Sequence, residues 1–136
     1  MPFVSVLFDN NLSPAWPRAL KALSDSVKNV DDVSALRDRF DASSPDVAWL
    51  TGLAEDGNWA IISSDGFRKS DAEKPLMHKA GLSVFVLAPA WNNFHHWERT
   101  VQIIRWWPKI VEQAQLARVA VRVPWKTSSR FDSLRY

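Results

Sequence analysis

Three short, almost unbroken apolar runs, Phe3–Phe8, Trp59–Ile62 and Leu82–Leu87, are separated by segments long enough for helices. A strand that is apolar at nearly every position is buried on both faces, which is the condition of a strand inside a parallel sheet. Val119, Val121 and Val123 alternate with Ala120 and Arg122, the pattern of a strand near the sheet edge. Ser13-Pro14 starts a helix through about Leu23, with Trp16, Leu20 and Leu23 on one stripe. Val27–Val30 reads as a short second strand, and the acidic connection from Asp31 to Ser43 has room for a short helix around Val33–Phe40. Ser44-Pro45-Asp46 starts a helix that runs to Asp56 and stops at Gly57, with Leu50, Leu53 and Ala54 inward. A further helix is expected over Asp71–Lys79. From Asn93 the spacing of Phe94, Trp97, Val101 and Ile104 is helical, and Pro108 either kinks that helix or begins another through Leu116. Strands alternating with helices imply an α/β fold with a mainly parallel central sheet and helices on both faces.

At 136 residues and 46% hydrophobic content, the chain is long and apolar enough for one domain with a continuous core. That domain is expected over residues 1–123, followed by a basic tail over 124–136. There is no cysteine, which excludes disulfides and thiolate zinc sites and favours a reducing, cytoplasmic setting. The first apolar run lacks a basic leader and ends in Asp9-Asn10-Asn11, so it reads as a strand and not as a signal peptide. No stretch approaches the roughly 20 apolar residues of a membrane-spanning helix. Charge is uneven: residues 105–136 hold seven Lys and Arg against two acids, a net +5, whereas the rest is net −3. Eight tryptophans suit a core and partner surfaces alike, and most are expected to pack inside.

In an open α/β sheet the binding edge lies where strands end and the following helices begin. Asp9 follows the first strand and Asp65 the run that starts at Trp59. Asp46 stands in the first turn of a helix, four and seven residues before Leu50 and Leu53, above an inward-facing stripe. Taken singly, Asp9 and Asp65 are consistent with ordinary turns, and Asp46 with a carboxylate favoured at a helix start. Together they form a cluster whose mutual repulsion calls for a cation, and an all-oxygen donor set favours Mg²⁺ or Mn²⁺ over zinc. Such an ion activates water and offsets charge on a phosphodiester. His95-His96 diverge by about 100° on a helix and make a poor metal pair. Ser63-Ser64 lacks the context of a nucleophile, and no glycine-rich nucleotide loop is present.

The segments Leu7-Phe8-Asp9-Asn10-Asn11-Leu12-Ser13, Asp46-Val47-Ala48-Trp49-Leu50 and Ile62-Ser63-Ser64-Asp65-Gly66-Phe67 resemble the successive acidic motifs of PIN-like domains. They look most like the VapC-type toxins of bacterial toxin–antitoxin modules, in the subgroup with a shortened core. Lys69-Ser70-Asp71-Ala72-Glu73-Lys74 and Ala80–Leu87 look like that subgroup too. The resemblance covers about residues 3–90. It implies that Asp9, Asp46 and Asp65 bind Mg²⁺ or Mn²⁺ and hydrolyse RNA phosphodiesters, and that a cognate antitoxin, a small DNA-binding protein, is the protein partner. Many PIN domains carry a fourth acid directly after the third. Here Gly66-Phe67 supplies none, so either Asp71 or Glu73 takes that place or the site is less complete.

The basic C-terminal residues Arg118, Arg122, Lys126 and Arg130, with Trp125 and Phe131, are expected to meet RNA phosphates and bases or an antitoxin. A phospho-receiver domain would need an acidic pair after the first strand, where two asparagines follow Asp9. A dehalogenase-like phosphatase would need Asp at Asn11. The competing class is a PIN-like module that binds protein or RNA without cleaving it. Divalent-metal-dependent RNA cleavage separates the two.

Overall fold

A computed structural model of the chain describes residues 3–9, 11–27, 29–39, 52–53, 58–64 and 82–134. Among these residues the strands are β1 (Val4–Phe8), β2 (Val30–Ala35), β3 (Trp59–Ser63), β4 (Ser83–Leu87), β5 (Ala120–Val123) and β6 (Asp132–Ser133). They form one sheet in the order β2-β1-β3-β4-β5-β6, parallel throughout except for the antiparallel pairing of β6 with β5. Every residue of β1, β3 and β4 is buried, as the unbroken apolar runs require. Asn58, just before β3, takes a left-handed φ of 57°, a conformation asparagine tolerates better than most residues.

Among the described residues the helices are α1 (Ala15–Ser24), α2 (Leu36–Arg39) and α3 (His96–Leu116), with a 3₁₀ turn at Pro89–Asn93, and residues 52–53 are helical as well. One sheet face meets α1 and α3: Val6, Phe8, Ile62, Phe85 and Val123 pack there with Trp16, Leu20, Ile103, Trp106 and Ile110. The opposite face carries Leu7, Ile61, Val84 and Val86, and they pack with Leu36 of α2 and Leu53, itself helical. The α/β fold with a mainly parallel sheet and both faces covered is therefore the one expected.

Three local expectations are corrected. The second strand begins at Val30, not Val27, and it takes in the first half of the expected acidic connection; the short helix is Leu36–Arg39. The reason is pairing: Val33 and Ala35 lie buried against Val6 and Phe8, and central β1 needs a partner along its length. In α1, Leu23 is 58% exposed and Ser24 is buried in its place. The Nε1–H of Trp107 donates to Ser24 Oγ at 3.0 Å, so the polar side chain completes the stripe begun by Trp16 and Leu20. In α3 the outward face holds Trp97 (76% exposed), Val101 and Ile104, while Gln102, Ile103, Trp106, Trp107, Ile110 and Val111 turn inward. The helix also passes through Pro108 without a second start. The carbonyl that loses its donor there is that of Ile104, and both residues face solvent, so water can satisfy it.

Where a basic tail was expected from Pro124, the described part of that segment packs on α3 and supplies the edge strand. Trp125 stacks on Phe94 with ring centroids 3.7 Å apart and meets Trp91 edge-on at 4.9 Å. Its carbonyl accepts from Trp106 Nε1 at 3.2 Å and from the Gln102 amide. Phe131 packs on Phe85 and Trp106, and Leu134 N donates to Ala120 O at 2.9 Å. Trp125→Ala is therefore expected to cost about 3 kcal/mol, the low end for an aromatic truncation because the indole is half-buried. Urea unfolding measures this, and a loss under ~0.5 kcal/mol would show the segment to be energetically detached.

Asp32 of β2 offers a test by pH. Partial burial pushes its carboxyl up. The Ser34 hydroxyl at 2.6 Å, the Lys21 ammonium at 3.1 Å and the Val33 backbone outweigh that, and the net pKa lies below the ordinary 3.8. A carboxyl depressed in the folded state adds stability above its unfolded pKa and loses it as pH falls through the folded value. Unfolding midpoints measured downward from pH 6 should fall more steeply below about pH 4 for the wild type than for Asp32→Asn.

Candidate active site

β1 is flanked by β2 and β3, so the residue that follows it stands between two strand ends on the sheet's C-terminal edge. That residue is Asp9. Its N–H donates to Ile62 O at 2.9 Å, extending the ladder by one step, and its own carbonyl accepts from Leu12 N at 3.1 Å, which turns the chain toward α1. Ser13 Oγ then accepts from Ala15 N at 3.3 Å where the chain enters α1.

The Asp9 side chain is half-buried, and Ser63 Oγ donates to its Oδ2 at 3.1 Å. Ser63 is fully buried at the last position of β3. The register explains the contact: Phe8 lies opposite Ile62, so the next residues along each strand are neighbours. Ser63 lacks the context of a nucleophile in the sequence, and its pairing with Asp9 is not apparent there. The signal was its position, level with Asp9 at the end of an adjacent parallel strand. A hydroxyl donating to a carboxylate oxygen restricts its rotamer.

Of the acids expected at this edge, Asp9 alone is described. Asp46, Asp65, Asp71 and Glu73 lie outside the described residues. Among the described residues no three acidic, His or Cys side chains are grouped to hold a metal ion. What is in place is one oriented carboxylate and a hydroxyl, both hard oxygens, at the ends of the adjacent parallel strands β1 and β3. His95 and His96 are exposed; His95 precedes α3, its N–H bonded to Glu98 Oε1 at 3.0 Å, and His96 lies along the Trp16 indole.

The C-terminal residues expected to bind RNA or an antitoxin are divided. Arg118 precedes β5 and lines a cavity of about 190 Å³ with Phe3, Val4, Asn58 and Trp59, at the strand-start edge away from Asp9. Arg122 is exposed and lies opposite Asp132 of β6. Lys126 and Arg130 are exposed beside α3, near Arg105 and Lys109 respectively. One face of the Trp125 indole is covered by Phe94, and Phe131 packs against Phe85 and Trp106. No helix among the described residues is long and apolar enough to cross a membrane.

Comparison with known proteins agrees with this architecture. A family model described as a PIN-like domain matches residues 4–89, from the first residue of β1 to just past β4. No curated protein and no solved structure matches the chain. A match of this extent takes in Asp9, Ser63 and four parallel strands, and the chain belongs to the PIN-like domain family.

Proposed function

We propose that the protein is a divalent-metal-dependent endoribonuclease, the toxin of a bacterial toxin–antitoxin pair, acting in the cytoplasm. The observation that carries this reading is the oriented Asp9 carboxylate at the C-terminal edge of a PIN-like sheet, a family that includes nucleases. Asp9, Asp46 and Asp65 hold Mg²⁺ or Mn²⁺ in this reading, with Asp71 or Glu73 as a fourth acid. The donor chemistry fits, since Asp9 and its partner Ser63 both present oxygen. When bound, the ion supplies charge for the phosphodiester and a more acidic water. The chain's own part is to hold the carboxylates in place, and the Ser63 hydroxyl does this at Asp9.

Lys126 and Arg130, carried on a packed segment, meet RNA phosphates or the antitoxin, and Arg118 and Arg122 lie on other surfaces available to a protein partner. The alternative is a PIN-like module that binds without cleaving.

Asp9→Asn is expected to lower Mn²⁺-dependent cleavage of a single-stranded RNA by at least a hundredfold while leaving the unfolding free energy in urea within ~0.5 kcal/mol of wild type. Equal cleavage by the variant, or wild-type cleavage that persists in EDTA, removes the metal-carboxylate mechanism. Binding of RNA by the wild type with no cleavage under any divalent ion favours the binding module.

Neutralising Lys126 and Arg130 together should weaken RNA binding and flatten its salt dependence by up to about 0.7 per lost phosphate contact. If the two residues serve the antitoxin, the same variant cleaves RNA normally and loosens the protein complex.

A further inference from the structure

The inward stripe of α3 begins with a charge. Arg99 stands one turn before Ile103, two before Trp106 and three before Ile110, all buried. At about 100° per residue it therefore continues the middle of the buried face. The residue is only partly exposed, and its Nε is shut off from solvent with no hydrogen-bond partner among the described residues. Neither ion pair found among those residues includes it. A guanidinium keeps its proton and carries five N–H donors, so enclosing part of it without an acceptor is unfavourable. A leucine or methionine would extend the apolar stripe without that cost.

The position of α3 says where the missing acceptor would come from. The helix follows β4 through the 3₁₀ turn, so it starts at the C-terminal edge of the sheet. There Trp16 Nε1 donates to Thr100 Oγ1 at 2.9 Å, and the indole lies along His96. Trp16 opens α1 only a turn after Asp9. Arg99, the neighbour of Thr100, thus stands at the same edge as Asp9. It approaches from the face covered by α1 and α3, whereas Ser63, which holds Asp9, alternates with Ile62 and belongs to the other face.

We propose that Arg99 is an anion-binding residue that takes a phosphate of the RNA strand other than the one cleaved, its guanidinium fork pairing with two phosphate oxygens. This rests on the reading of the Asp9 edge as the site of RNA hydrolysis. A polyanion crossing that edge meets the Asp9 carboxylate on one side and this cation on the other, and a phosphate supplies the acceptor that the guanidinium lacks.

The test uses the full chain with Ca²⁺ in place of Mg²⁺ or Mn²⁺ and a short fluorescein-labelled single-stranded RNA. Arg99→Gln should weaken binding roughly tenfold and reduce the slope of log affinity against log salt by about 0.7. Arg99→Lys, which keeps the charge and loses the fork, should fall between. Under turnover the loss should appear in KM more than in kcat. In the wild type the Arg99 Nε–H resonance should shift on adding the RNA or inorganic phosphate, a readout that holds even if a variant does not fold. Equal affinity for wild type and Arg99→Gln, or an unmoved Nε–H under saturating RNA, overturns the proposal. A wild type that binds RNA through Arg99 and cleaves none retains this site and removes the hydrolytic reading. Cleavage by the wild type with binding untouched in Arg99→Gln does the reverse.

Discussion

Four buried or half-buried indole contacts hold the layers of this domain in register. An indole taken out of water must find an acceptor for its N–H, or the fold loses about 1–3 kcal/mol at that atom. Trp16 finds Thr100, Trp107 finds Ser24, Trp91 finds the Val123 carbonyl and Trp106 the Trp125 carbonyl. Two of these bonds join α1 to α3 near both ends of α1, so the two helices run side by side in the same direction. The other two attach the end of β5 and the segment after it to the 3₁₀ turn and α3. Apolar contact alone is non-directional and would tolerate sliding; these bonds select one alignment.

That alignment positions the edge chemistry. α1 is pinned at Trp16, near its start and close after Asp9 in the chain. The ladder bond from Asp9 to Ile62 and the hydroxyl of Ser63 then orient the carboxylate. The same pinning brings the second turn of α3, with Arg99, to the edge. A functional site built on strand ends and helix starts is held more exactly than one carried on loops alone.

The basic surplus of the C-terminal third is also distributed by packing. Along the sequence it reads as one positive stretch. In three dimensions β5 and the segment from Pro124 send Arg118 to the strand-start edge, Arg122 outward beside Asp132, and Lys126 and Arg130 along α3. A uniform electrostatic tail becomes several separate surfaces, and the aromatic residues among the charges are largely used inside the chain.

The sequence by itself determined the fold class, the main strands and the place of Asp9. Runs such as Val4–Phe8 and Ser83–Leu87 are apolar at nearly every position, and only burial on two faces accounts for that. It also carried the PIN-like resemblance, since acids at strand exits are local in sequence. Tertiary structure alone decided which face of α3 turns inward. Phe94, Trp97, Val101 and Ile104 make a helical stripe as regular as the buried one, and nothing local distinguishes an indole that stacks inside from one left to solvent. Tertiary structure also decided that Ser63 serves Asp9, because the two lie 54 positions apart and meet through strand register. Periodicity reports that a residue has an apolar or polar side; which element lies opposite is settled only when the layers pack, since burial is a property of the pair.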